Sequence, residues 1–212
     1  MKNANIIAVC LLFCLAVFAP AAQSDAAMTT EVPSEVTLAS LPATIDDFLV
    51  LREAHGNNPA GTAALFVAAM IRYAEDQAAG LPMLVSILVN DNSLLVAAQA
   101  GRGYRGYDLS ANTRYLIDRL PPAPWISRSY IVGTSPENGY SLPEGGLRLA
   151  FSTNRYSQVS ADEVRIFVAC SGADSPRPLR LRRNSAGLWK VVEFSSLVVG
   201  IRQPAAAASD DL

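Results

Sequence analysis

The sequence predicts an α+β fold, with an N-terminal layer of about four helices packed on a small C-terminal antiparallel sheet. Three observations carry this. Between Thr44 and Leu120 the apolar residues recur at helical spacing, and capping residues stand at the starts of the runs. From Leu147 to Phe194 they recur at every second position instead. Asn184 to Gly187 is a four-residue turn that folds the last two strands into a hairpin. Helices first and strands second is the chain order of an α+β domain.

The chain opens on an export signal, read here as residues 1–26. Lys2 supplies a short positive start, Ile6 to Ala19 an apolar run, and Pro20 to Ala26 a small-residue segment with acceptable cuts after Ala21, Ser24 or Ala26. The run is shorter than the roughly 20 residues of a spanning helix. Cys10 and Cys14 follow Val9 and Phe13, not the small residue that a lipoprotein signal places before its cysteine. Cleavage leaves no stable membrane anchor, so the expected location is the periplasm or beyond the cell. Residues 27–43 read as a flexible arm, 44–203 as a single domain, and 204–212 as a disordered tail.

Thr44 caps a first helix to Glu53, with Asp46 and Asp47 in its first turn. Asn58 and Pro59 start a second, to Asp76, that is apolar nearly all round and therefore buried as the spine of the core. Gly80 breaks the pattern and Pro82 opens a third helix through Leu88, with a short helical piece from Ser93 to Ala98. Gly101 to Tyr107 reads as a flexible connector, after which Ser110 caps a fourth helix that Pro121 and Pro122 end. The strands are Leu147–Ser152, Val164–Cys170, Leu179–Arg182 and Leu188–Phe194. Val164, Ile166, Val168 and Cys170 share the core face.

Half of the residues are hydrophobic, which argues for a packed globule and against disorder. After cleavage Cys170 is the one cysteine left, so the core and not disulfides must hold the fold. Residues 27–91 hold eight acids and two bases, whereas residues 92–203 hold eight acids and fourteen bases. The halves are thus −6 and +6, which suits mutual packing or an anionic partner for the second half. The chain as a whole is not basic, and no nucleic-acid partner is expected.

Gly101, Gly103 and Gly106 match G-x-G-x-x-G, but the run follows a helix and lacks the βαβ context that makes the motif bind a dinucleotide. His55 is the only histidine, Cys170 sits on the core face, and G-x-S-x-G is absent. No catalytic residue, metal ligand or cofactor is assigned. Two sets of binding candidates remain. Arg180 and Arg182 share an outer strand face with Lys190 on the partner strand and Arg177 at the strand start, suited to capture of carboxylate or phosphate. Glu137, Asn138 and Asp174 lie in turn-like loops that could rim a pocket.

Tyr130 to Tyr140 (YIVGTSPENGY), Ser171 to Pro178 (SGADSPRP), Phe194 to Ile201 (FSSLVVGI) and Asn58 to Phe66 (NPAGTAALF) together resemble an uncharacterised family of exported bacterial domains, one of the "domain of unknown function" families. The resemblance covers roughly Asp46 to Pro204 and implies no activity, cofactor or site residue. The order of elements is also similar to the small cone-shaped pockets of the nuclear-transport-factor type, a likeness of fold that carries no function. The sequence therefore leads to an exported, non-enzymatic binding or interaction module that engages a protein or an anionic envelope component. The alternatives are a small-molecule-binding or hydrolytic pocket protein near Glu137 and Asp174, and a secreted effector or its immunity partner.

Overall fold

Asn58 starts the central helix. Its side-chain oxygen accepts from the Gly61 amide at 2.7 Å, and Pro59 fills the first helical position, where no amide donor is needed. In the computed structural model, which describes residues 30–206, this helix (α2, Pro59–Glu75) is buried along almost its whole length. The export signal, read from residues 1–26, lies outside the described residues, as do the last six residues of the tail. Pro204–Ala206 are described, and the Ala205 amide donates to the Pro136 carbonyl at 2.9 Å, so that part of the expected tail is tied down.

Helix α1 (Ile45–His55) precedes α2 and starts as expected at Thr44. The Thr44 hydroxyl accepts from the Asp47 amide, and the Asp47 carboxylate accepts from the Thr44 amide in return. Helix α3 (Gln77–Ile87) differs from expectation: Gly80 does not break it and Pro82 does not open it. Asp76 ends α2 and begins α3 in one residue, its Oδ1 accepting from the amides of Ala78 and Ala79. Gly80 is a contact glycine. A Cβ there would stand 2.3 Å from the backbone of Tyr73, so its bare Cα lets the two helices cross. Pro82 lies inside α3, short of one amide donor.

Beyond α3 the chain runs extended. The Val89 amide donates to the Val191 carbonyl at 2.9 Å, laying residues 88–89 along the edge of the main sheet. The stretch expected to be helical, Ser93–Ala98, instead carries strand β2 (Leu95–Ala97), paired antiparallel with β3 (Tyr107–Leu109). Gly101–Tyr107 is thus the tip of a hairpin, not a loose connector. Gly103 is essential to it: φ is +72° and a Cβ would lie 2.1 Å from the Tyr107 carbonyl oxygen. Helix α4 (Ala111–Ile117) is capped by Ser110 as expected, and a short α5 (Trp125–Arg128) follows.

The main sheet holds β1 (Glu35–Leu38), β4 (Leu147–Ser152), β6 (Glu163–Val168), β7 (Arg177–Arg183) and β8 (Trp189–Glu193) in that spatial order, with β5 (Gln158–Ser160) also on β6. All named pairs are antiparallel, and the fold is α+β. β1 falls inside the segment read as a flexible arm. It pairs with β4, and Arg148 closes the pair on Glu35 at 3.0 Å. Val164, Ile166, Val168, Leu179, Leu181 and Val191 are buried on the core face of the sheet, as the alternation requires. Cys170 is half-buried, its sulfur 3.3 Å from the Ser129 hydroxyl. The other face of the sheet carries Arg165, Arg180 and Arg182.

Candidate functional site

The basic strand is the natural starting point, and there the structure supplies a residue the sequence reading passed over. Glu163 is 8% exposed and lies directly across from Arg182. Its Oε1 accepts from Arg180 Nε at 3.1 Å and its Oε2 from Arg182 Nε at 3.1 Å. Burial works to raise the Glu163 pKa, but the hydrogen bonds from Arg180 and Arg182 outweigh it and hold the carboxyl below its ordinary value. The two guanidiniums expected to capture an external anion are therefore engaged by an internal one. Glu163→Gln is expected to lower stability by about 1–2 kcal/mol at neutral pH, because both arginines keep partial solvent to compensate them. The folded-state pKa is depressed, so the loss should fade as pH falls through the carboxylate range. Urea unfolding at pH 7 and pH 3.5 checks both statements.

The loop candidates serve as struts. Asn138 Oδ1 accepts from the Ser135 amide and its Nδ2 donates to the Gly133 carbonyl, closing its own turn. Glu137 is exposed, and its pKa is lowered, first by the Ser135 hydroxyl, the opposite of what a general acid needs. Asp174 is 96% exposed and pairs with Arg202 at 3.1 Å. Arg177 donates to the Gly200 carbonyl at 2.8 Å. Arg202 also donates its amide to the Gly172 carbonyl, and the Ala205 amide reaches Pro136, so the C-terminal segment runs between the two loops and ties them together.

Two candidates reach a cavity: Arg180 borders an open groove of about 340 Å³ beside Arg165 and Glu193, and Lys190 borders the second site, which has more apolar walls. This second site is a cleft of about 400 Å³ between the ends of α1 and α3, strand β8 and the β2–β3 hairpin. A small-molecule pocket is typically of this size. Ser86, in the last turn of α3, presents a carbonyl that no later helical amide satisfies. Lys190 Nζ donates to it, and so does Arg52 Nη1 at 3.0 Å from the last turn of α1. Cations gather here partly because a helix C-terminus is electronegative. One carbonyl dipole cannot balance two full charges, however. Arg105, held at the hairpin tip with φ +49°, adds a third, its guanidinium 5.2 Å from the centre of the Tyr104 ring.

The cleft contains no carboxylate among its described lining residues. Arg52, Arg105 and Lys190 make no ion pair among the described residues either. Burial first, then the charge of Arg52, press Lys190 down to about 8, while burial first, then Arg105, lower Arg52. Arg52 Nε is buried without a hydrogen-bond partner among the described residues. Apolar walls complete the cleft, with Val85, Leu88 and Leu95 inside and Tyr104 and Tyr107 from the hairpin. Arg52 escaped the sequence reading, and the segment that alternates Arg with Tyr at Tyr104–Tyr107 reads in sequence as a flexible connector. What was missing was the strand pairing that aims it at Lys190.

Among the described residues no group of three His, Cys, Asp or Glu side chains gathers as a metal site, and no helix is long and apolar enough to cross a membrane. Residues 40–205 match the model of the family described as "Domain of unknown function (DUF6935)", and the chain belongs to that family. No curated protein and no solved structure matches the chain.

Proposed function

We propose that this member of the family is a non-enzymatic binding module whose cleft at Arg52, Lys190 and Arg105 takes a small anion, and that it works outside the cytoplasm after loss of residues 1–26. The observation that carries the reading is the gathering of three cationic side chains, two of them on a single carbonyl, with no carboxylate in the lining. An uncompensated cluster of this kind is held at a cost to the empty protein, and an anion entering it removes that cost. Export rests on the N-terminal sequence pattern. Capture of an envelope component by Arg180 and Arg182 has less support, since Glu163 engages both.

The test is a thermal-shift and calorimetric titration of the purified chain with acetate, phosphate and benzoate at fixed ionic strength. Saturable stabilisation by at least one of them supports the reading, and no saturable binding by any would overturn it. A pH signature follows from Lys190. The groups around it are Arg52 from α1, Arg182 across the strand pair, and Tyr104, Arg105 and Tyr107 from the hairpin. Its pKa in the folded protein, about 8, lies below its ordinary value, so the folded state holds fewer protons than the unfolded state between those two values. Stability should therefore gain from this group as pH rises from about 8 toward 10.5. Anion affinity runs the other way. It should be flat below pH 8 and then fall about tenfold per pH unit, with one proton taken up on binding. Calorimetry in buffers of different ionisation enthalpy reads that proton directly.

A further inference from the structure

We infer that the anion is a monocarboxylic acid with a compact apolar or aromatic body, its carboxylate at the Arg52–Lys190 end and its body against Leu88, Leu95 and the hairpin tyrosines. This rests on the anion-binding reading of the cleft and narrows it to a ligand class.

Two features of the cleft make the choice. The first is the sign of the backbone around the cations. Phosphate sites are commonly built on helix N-termini, where amides point at the ligand. Here Arg52 lies in the last turn of α1 and Ser86 in the last turn of α3, so both helices bring their carbonyl ends to the site. Those carbonyls favour the cations and oppose a second negative charge on the ligand. Part of the donor capacity is also already spent, because Arg52 Nη1 and Lys190 Nζ each serve the Ser86 carbonyl. A single carboxylate, with two oxygens and one charge, suits what is left better than a phosphate dianion does.

The second feature is what stands opposite. Val85, Leu88 and Leu95 are 6%, 1% and 2% exposed, so the cleft wall they contribute is hydrocarbon fixed in the core. Tyr104 and Tyr107 cover it from the hairpin, and Tyr107 is 39% exposed, an aromatic surface presented to whatever enters. A bare inorganic ion would leave that wall wet. An acid carrying a phenyl ring or a branched chain would bury it, and the tyrosine faces provide stacking partners.

The experiment titrates the full chain with acetate, butyrate, hexanoate, phenylacetate, phenylacetamide and inorganic phosphate at pH 7 and constant ionic strength. Affinity should climb from acetate to hexanoate by about fourfold for each methylene that is buried. Phenylacetate should bind tightly, and its neutral amide should not bind measurably. Tyr104→Ala with Tyr107→Ala should lower phenylacetate affinity at least tenfold, and by a larger factor than it lowers acetate affinity. Equal affinity along the acid series, or phosphate as the tightest ligand, would overturn the monoacid inference while leaving an anion site in place. If neither acetate nor phosphate nor any acid bound, the anion reading would fall with it.

Discussion

Gly80→Ala is expected to lower the melting temperature by about 6–12 °C. In an ordinary helix the same change would raise stability, by about 1 kcal/mol, because alanine is the better helix former. Here the sign reverses. The new methyl would stand 2.3 Å from both Cα and N of Tyr73, and those atoms are α2 backbone, not the end of a side chain that can swing away. The neighbours of that contact are Leu65 to Tyr73 on α2 and Met83 to Ile87 on α3, nearly all fully buried, so the helices cannot part without opening the core. Overpacking of a rigid contact costs about 3 kcal/mol or more, which for a domain of this size corresponds to the stated shift. Gly101→Ala is the control. It lies at φ +77° in open space, and the left-handed backbone alone should cost about 1 kcal/mol. Equal melting temperatures for the two variants would show that the crossing is not as close as described.

Arg52→Met should reduce anion affinity by about 30- to 1000-fold with little change in melting temperature. The loss is that of a charge-assisted contact in a desolvated site, about 2–4 kcal/mol. Stability should hold because the substitution has two opposed effects. It removes the hydrogen bond to Ser86, but it also removes a charge that is partly buried, an Nε without a partner and the repulsion against Lys190. Met keeps the length of the aliphatic stem that packs under the cleft. The titration of Lys190 should move upward from about 8, though not to its ordinary value, since burial is the larger cause of its depression and is unaffected. Reactivity of Lys190 toward an acylating reagent across pH 6–10 reports that movement independently of any ligand. Undiminished affinity in this variant would remove Arg52 from the site.

Much of the fold was legible because its signals are local. Thr44 with Asp47, Asn58 with Pro59, and Ser110 with Thr113 each announce a helix start within four residues. The all-round apolar character of α2 gave its burial directly, and Asn184–Gly187 gave the last hairpin. The errors share one cause, which is that the deciding partner is remote. A glycine that breaks a helix and a glycine that admits a neighbouring helix look alike until Tyr73 is placed beside it. Leu94, Leu95 and Val96 fit a helix as well as a strand until Tyr107–Leu109 pairs with them. Glu163 was read past as the edge of an apolar strand, and only the register of β6 on β7 sets it between Arg180 and Arg182. The cleft was illegible for the same reason, since Arg52, Arg105 and Lys190 come from three separate parts of the chain.

The pairing of β1 with β4 has a consequence in time. Glu35 and Arg148 are 113 residues apart. At synthesis rates of 5–20 residues per second, β1 emerges roughly 6–23 s before its partner exists. The α2–α3 corner, closed through the single residue Asp76, needs no such delay. During that interval β1 is an open strand edge, the kind of surface on which chains pair wrongly. Its makeup answers the hazard: it is four residues long, Pro33 stands two residues before it, Glu35 and Thr37 lie outward, and Leu38 is its only buried side chain. The first strand to be made is therefore short and polar enough to wait alone, and the sheet acquires its outer edge only when the last third of the chain arrives.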